Sequence, residues 1–255
     1  MNYKLILLLY ILLSPLASVA QTHYQLGVGS TNILDTYLSQ EKFHGVGLSF
    51  LTTSERFKDS CRWSREWQHQ LHGSTAKDRA DNSSLLEGMY KFYYGAYYRL
   101  TTPGQPLQIH AGGLGNIGIG MIYDTRNGNN PVQARLGLQV MPSAKATYPL
   151  RLFRHAAMLR SQVYLPLVGV VFSPNYGQSY YELFSLGNYD HNIVPTTFVS
   201  APNFRQSLSL FYAFSPKFTM SIGYLGDYQQ QRVNNLKQHI YNHVVMIGIA
   251  KTLAP

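Results

Sequence analysis

Three residues could do chemistry together. His72 and Ser74 flank a single glycine, and Glu87 follows thirteen residues after the serine. On a strand, residues two apart share a face, so the imidazole would lie beside the hydroxyl. A more distant carboxylate could then orient the ring. Such a set cleaves acyl esters, with Ser74 as nucleophile, His72 as base and Glu87 as orienting group. The segment argues against it in one respect. Trp63, Trp67 and Leu71 form its apolar side, which turns His72 and Ser74 the other way. A second acid and imidazole stand side by side at Asp190-His191. The other histidines are His23, His44, His69, His110, His155, His239 and His243, and none belongs to an H-E-x-x-H or Cys/His quartet. His69 and His72 would share a helix face but split across a strand. No metal and no other cofactor is expected.

The elements that must position these residues announce themselves through composition. The chain has 255 residues, 45% hydrophobic and only 13% charged, with 20 Tyr, 12 Phe and 21 Gly. Soluble domains carry about 25% charged residues, so water does not wet this surface in the ordinary way. Disordered chains are charge-rich and aromatic-poor, the opposite of this one. Cys61 is alone, so no disulfide framework exists. The net charge of +9 is diffuse, without the basic run that nucleic acid requires. Residues 1–20 read as a secretory signal peptide: Lys4, then apolar Leu5 to Leu13, then Pro15 and the small-residue site Ser18-Val19-Ala20. Cleavage after Ala20 exposes Gln21, which offers no lipid anchor, and leaves residues 21–255 as one domain. No later stretch has the 18 consecutive apolar residues of a transmembrane helix.

Period-two alternation fills that domain. Tyr90, Phe92, Tyr94, Ala96 and Tyr98 interleave with Lys91, Tyr93, Gly95, Tyr97 and Arg99; Phe218, Met220, Ile222 and Tyr224 interleave with Thr219, Ser221 and Gly223. Each such segment has one greasy side and one polar side. Ten can be placed, at 23–34, 43–52, 62–74, 88–101, 107–123, 132–142, 155–172, 204–215, 217–229 and 239–252. Many match the roughly 9–11 residues that a tilted membrane strand needs. Connections alternate in character. One set holds 53–61, Thr102-Pro103-Gly104-Gln105-Pro106, 143–154 and the tight Ser215-Pro216-Lys217 turn; the other holds 35–42, 75–87, 124–131, 173–203 and 230–238. Short turns on one side and longer loops on the other are the outer-membrane pattern, although 53–61 and 143–154 are not short. Tyr24, Tyr123, Phe214 and Tyr241 sit near segment ends, where interfacial aromatic girdles belong. The expected fold is an all-β, antiparallel, up-and-down transmembrane barrel of about ten strands, with twelve possible. A soluble periplasmic β-sandwich is the alternative.

In that barrel Lys91, Arg99, Arg135, Arg160 and Arg205 face the lumen, with Glu66 the clearest inward carboxylate. Buried charges must be paired or hydrated, so with few acids some arginines are expected to meet water or anions. A weakly anion-selective bore is one reading. Packing is the other, because ten strands lie close to the eight-strand case that side chains fill. Loop 173–203 is the longest connection. Loops beyond about 12–15 residues are usually functional or disordered. Its Tyr176, Tyr180, Tyr181, Glu182, Phe184, Tyr189, Asp190 and His191 could plug the barrel mouth or form an external recognition surface. A third option is a further strand pair around Tyr180–Leu186 and Thr196–Ser200.

Four stretches carry a family resemblance: Asn116 to Pro131 (NIGIGMIYDTRNGNNP), Tyr176 to Gly187 (YGQSYYELFSLG), Gly223 to Asp227 (GYLGD) and Val233 to Lys237 (VNNLK). From Tyr90 onward the chain resembles a Bacteroidetes family of secreted outer-membrane barrels, domain of unknown function 3316. The resemblance implies location in the bacterial outer membrane and no particular activity. Outer-membrane barrels usually finish on an aromatic residue, whereas this chain finishes Leu253-Ala254-Pro255. The His-x-Ser pair also resembles outer-membrane phospholipases and lipid A deacylases, but Thr75 replaces their Asn after the serine. Omptin-type barrel proteases combine Asp-x-His with Asp-x-Asp; here Asp190 and His191 are adjacent and Asp-x-Asp is absent. The expectation is a non-enzymatic outer-membrane protein serving envelope structure, surface binding or minor permeation, with a lipid-acting hydrolase as the enzymatic alternative. Expected partners are outer-membrane lipid, lipopolysaccharide and the barrel assembly machinery.

Overall fold

The computed structural model describes residues 19–57, 61–102, 104–215 and 218–253. The leader read at 1–20 lies outside them except for Val19 and Ala20, as do Pro103, Pro216, Lys217 and the terminal Ala254-Pro255. Twelve strands form in the described residues: β1 (Val19–Asp35), β2 (Ser39–Phe57), β3 (Trp63–Lys77), β4 (Ser84–Arg99), β5 (Gln108–Asp124), β6 (Val132–Leu152), β7 (His155–Tyr164), β8 (Val168–Phe172), β9 (Ile193–Thr197), β10 (Phe204–Ser215), β11 (Phe218–Val233) and β12 (Leu236–Leu253). One short helix, α1 (Tyr180–Phe184), lies between β8 and β9.

Ten strands close a ring. β1 to β7 pair in sequence, β7 passes to β10, and β11 and β12 lead back to β1, every pairing antiparallel. The closing seam runs without a break from Ala20↔Leu253 to Asp35↔Gln238. Alternation decides which side chain goes where. On β1, His23, Gln25 and Thr31 are buried in the lumen, while Tyr24, Leu26 and Val28 stand exposed outside. On β5, Ile117, Ile119 and Met121 face out, and Leu114, Asn116 and Ile122 face in. Large apolar side chains outside and Gln, Ser, Thr and ionised groups inside invert the order of a water-soluble domain.

β8 and β9 are the two strands beyond the ten. Leu165 N–H donates to Pro142 O (3.0 Å) and Leu167 N–H to Val140 O (3.1 Å), so β8 continues β7 along the same neighbour, β6. Alternate residues point their amides to opposite neighbours, so position 166 faces β10, and there Pro166 has no N–H to give. The ladder fails on that side. β10 pairs with β7 only as far as Arg205↔Tyr164, residues 198–203 swing away, and β9 pairs with β8 from Val168↔Thr197 onward. The register against β6 slips by one residue, from Ser143↔Tyr164 to Val140↔Val168. Among the described residues, the other edge of β9 pairs with no strand. The 198–203 segment ties this edge to β11: Arg232 N–H donates to Ser200 O, and Gln230 N–H to Asn203 Oδ1 (2.8 and 2.7 Å).

Several boundaries differ from the sequence expectation, and β2 runs to Phe57 through part of the connection read at 53–61. The connection read at 143–154 is mostly strand, because Pro142 and Pro149 keep their places in the ladder opposite Gly113 and Met158. Only Phe153 and Arg154 turn, at φ 47° and 71°, the positive-φ pair of a two-residue hairpin. Asn234 and Asn235 do the same between β11 and β12, at φ 49° and 59°. The segment read as 155–172 is two strands broken at Pro166. The extra strand proposed at Tyr180–Leu186 is α1 instead, and its proposed partner at Thr196–Ser200 lies mostly beyond β9. Ser179 and Glu182 form a capping box that selects the helix: Ser179 Oγ accepts from Glu182 N–H (3.2 Å), and Glu182 Oε2 accepts from Ser179 N–H (2.8 Å).

Tight coiling of the wall rests on inward glycines. A Cβ on Gly29 would lie 1.8 Å from His243 O, and one on Gly45 would lie 1.9 Å from Thr75 O, both backbone atoms that cannot swing aside. A Cβ on Gly88 meets nothing within 4 Å. Gly29→Ala and Gly45→Ala should each destabilise the folded barrel by about 1–3 kcal/mol, as overpacking does. Gly88→Ala should leave it unchanged within about 0.5 kcal/mol. Urea midpoints of the folded band on a detergent gel measure the difference.

Candidate functional site

The lumen is built in layers, and each layer starts from strand register. Glu55 and Glu66 stand directly opposite each other on β2 and β3, both buried inside. Like charges so placed repel. Lys145 reaches across from β6 and sets its ammonium between them, 2.6 Å from Glu55 Oε1 and 3.1 Å from Glu66 Oε2. Arg160 on β7 takes the other Glu55 oxygen at 3.2 Å. Gln68 and Gln162 donate to Glu66 Oε1 (2.7 and 2.8 Å), and Gln162 also donates to Tyr97 Oη (2.6 Å). The Lys145 ammonium also sits 4.4 Å from the centre of the Tyr97 ring. Two acids, two bases and their amide partners thus tie β2 and β3 to β6 and β7 across the bore.

A second layer lies above, toward the end of the barrel that bears α1. Lys91 on β4 donates to Asp227 on β11 at 2.7 Å. Arg135 on β6 donates to Glu87 on β4 at 2.5 Å and also to Gln229. His72, Ser74 and Glu87 do meet here, as their spacing implied. Their wiring differs from a hydrolytic set. Ser74 Oγ donates to Glu87 Oε2 (2.9 Å), not to the imidazole. His72 Nδ1 bonds Ser49 Oγ (2.7 Å), and His72 Nε2 lies 3.7 Å from Glu87 Oε2. The carboxylate therefore holds the hydroxyl, and the trio faces the lumen instead of the apolar exterior.

Above these layers Ile33, Leu38, Phe43, Ala76, Leu85, Ile122 and Ile240 form a buried apolar cluster, with Tyr37 packed against it. Loop residues 173–192 then cross the mouth. β6 lies five places from β1 and four from β2 on the ten-strand ring, so it stands nearly opposite the β1–β2 turn. At β6, Tyr180 Oη accepts from Ala134 N–H (2.6 Å) and donates to Gln133 Oε1 (3.1 Å). At the turn, Tyr37 Oη donates to Gln178 O (3.1 Å). Asn234 adds a third anchor by donating to Ser173 O and His191 O (both 3.0 Å). Burial pushes the Tyr37 hydroxyl up to about 12, with Asp35 adding to the shift, so its proton stays in place for that bond. Gln178 holds the loop together inside, donating to Asn188 O and accepting from Asn175 N–H (both 2.9 Å) and Asn192 Nδ2 (2.7 Å). Leu183 is fully buried.

The loop candidates divide accordingly. Tyr180 is a strut, and Glu182 caps its own helix. Tyr176, Tyr181, Phe184 and Tyr189 are each more than 60% exposed, and the Asp190 carboxylate and His191 imidazole touch each other in the open. The plug and the surface are two sides of one lid. Among the lumen charges, Glu66, Lys91, Arg135 and Arg160 are ion-paired, while Arg99 and Arg205 have no carboxylate in ion-pair reach among the described residues. Sequence reasoning missed Glu55 and Lys145 because both lay in segments read as connections. Asp227 sat on a recognised polar face, but its partner Lys91 is 136 residues away. No group of three or more potential metal ligands occurs among the described residues.

Lys145→Met strands two opposed carboxylates and should destabilise the barrel by about 3–5 kcal/mol, read as a lower urea midpoint. Tyr180→Phe removes one strut at a cost of about 1–2 kcal/mol. It should raise hydrogen exchange across 173–192 while leaving the strands protected.

Solved structures with the same architecture are outer-membrane barrels. The chain superposes on the outer membrane protease OmpT from Escherichia coli with a TM-score of 0.50 at 7% identity, covering 94% of this chain and 99% of that one. Looser superpositions include the translocator domain of the autotransporter NalP from Neisseria meningitidis (TM-score 0.42, 8% identity, 98% and 93% covered). Another is the COG4313 outer membrane channel from Pseudomonas putida F1 (0.38, 10%, 94% and 97%). At 7% identity the OmpT match speaks for the fold alone. No curated protein matches the sequence. A family model does, over residues 15–255. The chain belongs to the family described as protein of unknown function (DUF3316).

Proposed function

We propose that this protein resides in the bacterial outer membrane as a barrel without a through-pore and works as a non-enzymatic binding scaffold at its lidded mouth. The closed bore carries the reading. Two hydrogen-bonded charge layers, an apolar layer and the 173–192 lid follow one another along the axis. Both charge layers cross the bore with buried ion pairs, which supports a closed lumen. The outward belt of Leu26, Val28, Val46, Leu48, Ile117, Ile119, Leu138, Val140 and Ile247 suits contact with lipid chains and, on the outer leaflet, lipopolysaccharide. Insertion would fall to the barrel assembly machinery. The exposed Tyr176, Tyr181, Phe184 and Tyr189 give the lid an aromatic face, the residue type enriched where surfaces recognise partners. The Ser74 hydroxyl donates to Glu87 and not to His72, and it faces the lumen, away from the lipid side of the wall.

The purified full chain should migrate as a heat-modifiable band from the outer-membrane fraction and give no stable conductance steps in a planar bilayer. Reproducible single-channel steps would sink the closed-bore reading. Lipid ester hydrolysis abolished by Ser74→Ala would replace the scaffold with an enzyme.

A further inference from the structure

Cations gather on one outer sector of the wall, at the end that bears the lid. Arg232 on β11 and Lys237 on β12 stand directly opposite each other, both exposed. Like charges so placed repel unless something of opposite sign lies over them. Lys42, also exposed, lies on β2, beyond β1 from β12. Lys237 and Lys42 both lie near enough to bear on the protonation of the His239 imidazole, so one electrostatic cluster bridges β12, β1 and β2. Closure of the β1–β12 seam is what collects residues so far apart in sequence. Among the described residues none of the three cations has a carboxylate in ion-pair reach, and Glu41, the acid next to Lys42, joins no ion pair. Lys77 on β3 is the contrast, its ammonium 2.7 Å from Asp81.

Height along the wall fixes what these cations meet. Tyr241 stacks on His239 with ring centres 5.0 Å apart, and Tyr228 packs edge-on against Tyr241 at 6.0 Å. In the same row His44 bonds Asn32 on the neighbouring strand. Nearer the middle of the wall the outward side chains are apolar: Val28, Val46, Val245 and Ile247. Tyrosines with apolar residues on one side and cations on the other mark the head-group zone, where hydrocarbon gives way to phosphate.

We propose that Lys42, Arg232 and Lys237 form a binding site for the phosphate of an outer-leaflet glycolipid, whose acyl chains lie against Val28, Val46, Val245 and Ile247. Arg232 offers a planar fork to two phosphate oxygens, and the lysines add point charges. The occupant is a glycolipid because the mouth with the longer loops faces outward, and the leaflet there carries lipopolysaccharide. The inference rests on the outer-membrane reading above, but on neither the closed bore nor the aromatic face of the lid.

The test uses the full chain in detergent micelles, with lipid A as the probe and native mass spectrometry to count the lipid retained. Dephosphorylated lipid A, phosphatidylglycerol and inorganic phosphate are the other arms. The parent should retain phosphorylated lipid A and not the dephosphorylated form. Lys42→Gln, Arg232→Gln and Lys237→Gln combined should weaken that binding about tenfold or more, the loss of three exposed charge contacts. The three side chains are exposed, so this variant should keep its heat-modifiable fold. Arg62→Gln, Arg151→Gln and Arg154→Gln together remove the same charge from exposed positions at the opposite mouth and should leave binding unchanged. No retention by the parent, equal retention of dephosphorylated lipid A, undiminished retention by the first variant, or an equal loss in the second would each overturn the proposal. Equal or better retention of phosphatidylglycerol would assign the rim to anionic lipid in general and overturn it. Displacement of lipid A by an equal concentration of inorganic phosphate would assign it to a free anion and overturn it as well. Each of these outcomes is compatible with a heat-modifiable, non-conducting barrel, so this proposal and the closed-barrel reading fail separately.

Discussion

Lys145 holds a position on which much of the lumen depends. Two glutamates face each other across a hairpin, and strand register alone puts them there. Left as a pair, they would repel inside a space with little water. A single ammonium from the opposite wall touches both, and it lies 1% exposed. Attraction between buried charges is strong, yet the desolvation cost is comparably large, so a missing partner matters more than a present one. The consequence is geometric. β2 and β3 cannot drift relative to β6 and β7 without separating Lys145 from a carboxylate, and the cross-section of the barrel is fixed by that triangle. Glutamines 68 and 162 and Tyr97 then saturate the remaining oxygens and extend the brace.

With the cross-section set, the interior behaves as a polar core. A water-soluble domain packs apolar side chains inside and lets charge face solvent. Here the alternation is the same but the solvent is reversed, so charge is driven inward and must find charge. That accounts for a chain only 13% charged that still spends many of its ionised groups on the lumen. It also accounts for the lid. An apolar cluster at the upper end would otherwise face water, and residues 173–192 cover that end, with Tyr37 linking cluster and lid through Gln178. The break at Pro166 is what frees this stretch: one missing amide ends the β7–β10 ladder and lets the chain leave the wall, form α1 and return as β9.

Much of this was legible in the sequence because period two is a local signal. The apolar side of Tyr90 to Tyr98 names the outward face of β4 with no knowledge of its neighbours, and Lys91 must then point inward. Residues placed in connections were harder. The stretch 143–154 was read as a connection, so Lys145 within it was not counted as a lumen charge. A proline loses one donor and nothing else if its neighbour can spare an acceptor, and β6 tolerates two. The capping box at Ser179 and Glu182 was readable as S-x-x-E, but the loop was read only as plug, recognition surface or further strand pair. Pairings were beyond reach altogether: Glu55 to Lys145 and Lys91 to Asp227 span 90 and 136 residues, and only ring closure brings them together. The His72, Ser74 and Glu87 grouping was foreseen, but not that Arg135 would arrive at Glu87 and hold it.

The most direct test of a packed, ion-paired lumen is the reactivity of its own lysines. A small water-soluble acylating reagent, applied to the folded protein and mapped by mass spectrometry, compares Lys91 and Lys145 with Lys77, whose side chain is 60% exposed. The account predicts rapid modification of Lys77 and none of Lys91 or Lys145 until the barrel is boiled, after which all three react. Modification of Lys145 in the folded state at the rate of Lys77 would mean that water and solutes fill the bore, and would contradict it.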